Sequence, residues 1–118
     1  MTRRAPAILA AALALTGCAL TPDEVMEKGV RQTASSRLAP SEVAACIGRN
    51  ADGVTRSGRT IGYPTGRREF EVLLEYPDAG TAAVFSIKAS GTGSGITAWI
   101  TPFIASPEIA FGSLTWGC

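Results

Sequence analysis

The sequence predicts an α+β fold in which one or two N-terminal helices pack on one face of a three- or four-stranded antiparallel meander, with a short C-terminal helix. Two patterns carry that expectation. Between Glu69 and Tyr76, the apolar residues Phe70, Val72, Leu74 and Tyr76 alternate with Glu69, Glu71 and Glu75, which is the period of a strand with one wet face. Between Pro40 and Asn50, Val43, Cys46, Ile47 and Asn50 fall at the spacing of one helical face.

The chain opens in a different style. Arg3 and Arg4 precede a weakly apolar run from Ala5 to Leu15, mostly Ala and Leu, far short of the roughly 20 residues needed to span hydrocarbon. A basic start, a short apolar stretch and small residues near Gly17 are the parts of an export signal. The stretch Leu15-Thr16-Gly17-Cys18 resembles the lipobox of bacterial lipoproteins. That resemblance implies cleavage between Gly17 and Cys18 and attachment of lipid to Cys18. Residues 1–17 are then a signal peptide, 18–39 an anchored segment, and 40–118 a small α+β domain.

Once Cys18 is assigned to the anchor, Cys46 and Cys118 remain as a pair in a compartment that oxidises thiols. One disulfide is expected between them. A metal site or a reactive thiol would lack its commonest partner, because the chain contains no His.

Thr21-Pro22-Asp23-Glu24 reads as a helix start, with a Thr cap, Pro at the first helical position and early carboxylates. Val25, Met26, Val30 and Thr33 extend it as a thin stripe interrupted by Gly29. Left unpacked, this segment would be a partly ordered tether. Pro40-Ser41-Glu42 opens the stronger helix, which closes near Gly53. Ile61-Gly62-Tyr63 suits a short edge strand before the turn at Pro64-Thr65-Gly66. After the strand ending at Tyr76 comes a turn at Pro77-Asp78-Ala79-Gly80. Thr81 to Ala89 returns with Ala83, Phe85 and Ile87 inward. Ser90 to Gly95 turns again, and Ile96 to Thr101 adds a third strand. Ser106-Pro107-Glu108 repeats the helix-start pattern, favouring a C-terminal helix over a fourth strand.

Composition narrows the function classes. Of 118 residues, 11 are basic and 10 acidic; removing Arg3 and Arg4 leaves nine against ten, so no basic field argues for nucleic acid. Without His, neither a Ser-His-Asp nor a Cys-His arrangement is available. The Gly91, Gly93 and Gly95 run leads from strand to strand, which suits a hairpin and not a phosphate loop. Glu69, Glu71 and Glu75 read as a solvated sheet face. Arg56, Arg59, Arg67 and Arg68 cluster in the loop before the sheet and could touch lipid phosphate or an acidic polymer, and Trp99 and Trp116 could line a binding surface.

The segment Ser36-Arg37-Leu38-Ala39-Pro40-Ser41-Glu42-Val43-Ala44-Ala45-Cys46-Ile47, with the terminal Cys118, resembles a group of short proteobacterial lipoproteins of no established function. The resemblance implies a lipobox, a helix with one Cys, a small sheet and a final Cys. In element order alone, the chain is also similar to the small lipoprotein of the outer-membrane barrel-assembly machinery, which places two helices before a three-stranded sheet. Because Ala19 and not Asp follows Cys18, the lipoprotein resemblance implies the outer membrane, facing the periplasm. The expected function is non-enzymatic, structural or interaction-based, without a cofactor. The expected partners are the membrane and another envelope protein, not nucleic acid. The alternative is a small-ligand or glycan-binding module.

Overall fold

The computed structural model describes residues 19–102 and 104–118. The expected signal segment, the expected cleavage site at Gly17 and Cys18, and the expected lipidation of Cys18 lie outside the described residues. The elements run α1 (Pro22–Lys28), β1 (Val30–Ser36), α2 (Pro40–Val54), β2 (Arg59–Gly66), β3 (Glu69–Tyr76), β4 (Gly80–Ser90), β5 (Gly93–Ile100) and α3 (Pro107–Thr115). The fold is α+β, with one fully antiparallel sheet in the order β1-β5-β4-β3-β2.

The sheet has five strands and not three or four. The helix expected through Thr33 stops at Lys28, because Gly29 takes an extended conformation (φ −73°, ψ 160°) and caps α1 with its N–H on the Val25 carbonyl. Val30 and Thr33 then belong to β1, which pairs along its length with Ile100 to Ser94. The strand carries few apolar residues: Gln32, Ala34 and Ser36 are half-buried, while Arg31, Thr33 and Ser35 are exposed. Its alternation is therefore one of burial rather than hydropathy. The insertion of β1 between the first two helices also removes the likeness of element order to the barrel-assembly lipoprotein.

The remaining elements follow their local signals. In α1, the Thr21 hydroxyl accepts the Glu24 N–H, with Pro22 and two acids in the first turn. In α2, Pro40 starts the helix, and Val43, Cys46 and Ile47 turn inward. Strands β2 to β5 form the meander. The β4–β5 hairpin turns on Gly91 (φ +58°) and Thr92, with the positive φ at the first loop position typical of type II′ turns. The C-terminal segment is helical, as expected from its Ser-Pro-Glu start.

The helices do not share one face. On the inner face, α2 and α3 cover Val72, Leu74, Phe85, Ile87, Ile96 and Ile100. Phe111 of α3 stacks on Phe85 with ring centroids 6.4 Å apart. On the outer face, α1 buries Val25 against Leu73 and Val84, with Leu20 and Trp99 at the margin. The strictly alternating reading of β3 did not assign Leu73, which α1 makes part of this second small core.

A disulfide joins Cys46 to Cys118, whose Cα atoms are 5.8 Å apart. Asn50, one turn beyond Cys46, donates through Nδ2 to the carbonyls of Leu114 and Trp116, both at 2.9 Å. The Ser36 hydroxyl donates to the Cys118 carbonyl. The chain's last residues are thus held by covalent and polar contacts together.

Candidate functional site

The antiparallel register arranges the outer face into cross-strand rows, each reading β1, β5, β4, β3, β2. The first row is Arg31, Trp99, Val84, Leu73 and Ile61; the second is Thr33, Thr97, Ser86, Glu71 and Tyr63; the third is Ser35, Gly95, Lys88, Glu69 and Gly66. Because α1 covers Val84 and Leu73, the middle of the first row is closed to solvent, while Ile61 at its β2 end stays exposed. Below it, none of the described helices covers the face.

Over β1, β5 and β4 this bare region forms an open groove of about 390 Å³. Arg31 and Trp99 stand at one end and Lys88 at the other, with the hydroxyls of Thr33, Thr97 and Ser86 between them. Gly95 lies beside Lys88 in the third row, and among the described residues no heavy atom stands within 4 Å of the place a Cβ would occupy. The absence of a side chain there deepens the floor next to the ammonium group. Two cations, a hydroxyl row and one indole edge suit an oxygen-rich ligand or a polar protein surface.

The β2 side of the same face is more acidic. The Tyr63 hydroxyl donates to Glu71, its second-row neighbour. That bond, followed by desolvation and the negative charges of Glu71, Asp23 and Glu75, pushes the Tyr63 phenol up from 10.0 to about 12. Tyr63 consequently stays a neutral donor at physiological pH and occupies one carboxylate oxygen of Glu71. Among the described residues, no group of three or more His, Cys, Asp or Glu side chains is placed to hold a metal ion.

The residues singled out from the sequence are dispersed. Arg56 and Arg59 lie at the start of β2, whereas Arg67 and Arg68 form the hairpin loop at its other end. Seven strand steps separate Arg59 from Gly66, roughly 23 Å, so the four arginines make no common patch. Arg68 instead borders a second groove of about 620 Å³, between the start of α2 and the Gly91–Thr92 hairpin, with Pro40 and Phe70. Trp99 joins the outer-face groove. Trp116 follows α3, which packs on the inner face, and is 79% exposed. The two tryptophans therefore share no surface.

Arg31, Thr33, Ser86, Lys88 and Thr97 were not foreseen as a group. Thr97 and Lys88 occupy outward positions in recognisable strands and carried a usable signal. Arg31 and Thr33 carried none, since they depend on β1. Comparisons of the chain with protein-family profiles, with curated proteins and with solved structures returned no match.

Proposed function

We propose that the chain is a lipid-anchored, periplasm-facing envelope protein that acts by binding and not by turnover, and that its working surface is the bare half of the outer sheet face. The lipobox-like Leu15-Thr16-Gly17-Cys18 supports the anchor, and Ala19 at the next position favours the outer membrane. The observation that carries the binding reading is the groove itself. Arg31, Lys88 and three hydroxyls converge on a part of the face that none of the described helices covers, in a domain otherwise packed on both sides. The partner expected is another envelope protein.

A photocrosslinking residue at Thr97, in intact envelopes, tests this reading. The expected result is a discrete protein adduct that is lost when Arg31 and Lys88 are both replaced by Ala. Absence of any adduct, together with turnover of an envelope substrate by the purified protein, would sink it.

Trp99 favours one second reading, a small-ligand or glycan module, because an indole beside a hydroxyl row is suited to a sugar ring. In a Trp116→Phe background, Trp99 fluorescence should respond saturably to envelope glycan fragments. A flat titration removes this alternative.

A further inference from the structure

The chain is already docked before it enters α1. The Leu20 N–H donates to the Ala79 carbonyl at 3.1 Å, and the Leu20 carbonyl accepts the Thr81 N–H at 2.9 Å, forming a parallel bridge to Gly80. This approach requires glycine: Gly80 has φ +76°, and a Cβ there would collide with the Leu20 carbonyl. Thr21 then caps α1, and Val25 fixes α1 to the outer face. In the sequence only Ala19 stands between Leu20 and Cys18, so the clamp begins two residues after the expected lipid-bearing position.

The surface around the clamp is well defined. It includes the turn Pro77-Asp78-Ala79 and a depression of about 320 Å³ bordered by Ser57, Tyr76 and Ile104. Arg56 and Arg59 are exposed at the same end, and Val54, the last residue of α2, is 57% exposed. Asp52 and Asp78 are exposed there too, and the first turn of α1 adds Asp23 and Glu24 just after the clamp, so the end is no basic field and Arg56 and Arg59 act as individual contacts.

We propose that this end of the sheet is a lipid-facing surface. The Leu20–Gly80 clamp seats the β3–β4 turn, Arg56 and Arg59 on phospholipid headgroups, and the hairpin tips at Arg67–Arg68 and Gly91–Thr92 face away from the bilayer. This inference rests on the anchor reading above. A guanidinium matches a phosphate through paired N–H donors, and the short link to the lipid supplies a high effective concentration without a basic field. The anchored segment is accordingly a seat and not a tether.

The test uses the full-length lipidated protein in phosphatidylethanolamine and phosphatidylglycerol vesicles containing a headgroup quencher. A fluorescent amino acid is placed at Ser57 or at Thr92. Quenching should be severalfold stronger at Ser57, and a flexible Gly-Ser linker of about ten residues between Cys18 and Ala19, reaching roughly 17 Å, should largely abolish the difference. Equal quenching at the two positions, or Ser57 quenching unchanged by the linker, would overturn the proposal. Intact mass separates the two ideas: an unlipidated Cys18 removes the anchor reading and this inference with it, whereas lipidated protein with equal quenching removes this inference alone.

Discussion

Replacing both Cys46 and Cys118 by Ala should cost the domain about 4 kcal/mol. The bond closes a loop with a sequence separation of 72 residues, and the chain-entropy relation for a loop of that length yields this figure at room temperature. Domains of this size have about 5 to 15 kcal/mol in all, so the thermal midpoint should fall on the order of 20 °C. The fold itself should survive in the cold. Asn50 still reaches the Leu114 and Trp116 carbonyls, and Phe111 and Leu114 still fill the inner core. Urea unfolding of the unlipidated protein, followed by circular dichroism, reads the loss directly. The denaturant slope should also rise, since an unlinked unfolded chain exposes more surface. A loss below about 1 kcal/mol would refute the reasoning and assign the docking of the chain end to non-covalent contacts.

Three further perturbations test local features. Thr101 is 1% exposed and its hydroxyl has no hydrogen-bond partner among the described residues, so Thr101→Val should stabilise the fold by about 1 kcal/mol; unchanged or lower stability in urea would contradict this. Arg68 holds φ +60° in the β2–β3 hairpin, and Arg68→Gly should gain up to about 1 kcal/mol by relieving that conformation, with a thermal midpoint at or below wild type counting against it. Tyr63 binds its proton more tightly in the folded state. Its stabilising contribution is therefore complete below the ordinary phenol pKa of 10.0 and is lost as pH rises through about 12. Because Tyr63 is 37% exposed, solvent limits this to roughly a few tenths of a kcal/mol. In a Tyr76→Phe background, Glu71→Gln should lower the phenolate absorbance midpoint, and an unmoved midpoint would contradict the assignment.

What could be read from the sequence tracks how each residue meets the core. Strands β3, β4 and β5 were legible because their inward residues are large and apolar, so burial and hydropathy share one period. The α2 face was legible for the same reason, and with it the inward direction of Cys46. Strand β1 was hidden because its inward residues are Gln32, Ala34 and Ser36, of which only Ala34 packs on the apolar core, so the burial period leaves no hydropathy period to read. Its loss concealed half of the outer-face groove. The arginines were misgrouped for a geometric reason: residues close in sequence end far apart when an extended strand runs between them. Leu73 shows the converse. Its neighbours set a clean alternation, and only the arrival of α1 on the outer face makes its burial favourable.

The pairing of β1 with β5 has a temporal consequence. Val30 meets Ile100, and Leu20 meets Gly80, so the first strand and the clamp before it have no partner until most of the chain has been made. At about 5 to 20 residues per second, the wait between synthesis of β1 and of β5 lasts on the order of several seconds. During that interval β1 and the clamp residue Leu20 remain unpaired. The sheet closes only when β5 arrives, so β1, the first of its strands in chain order, is among the last to acquire its native pairing.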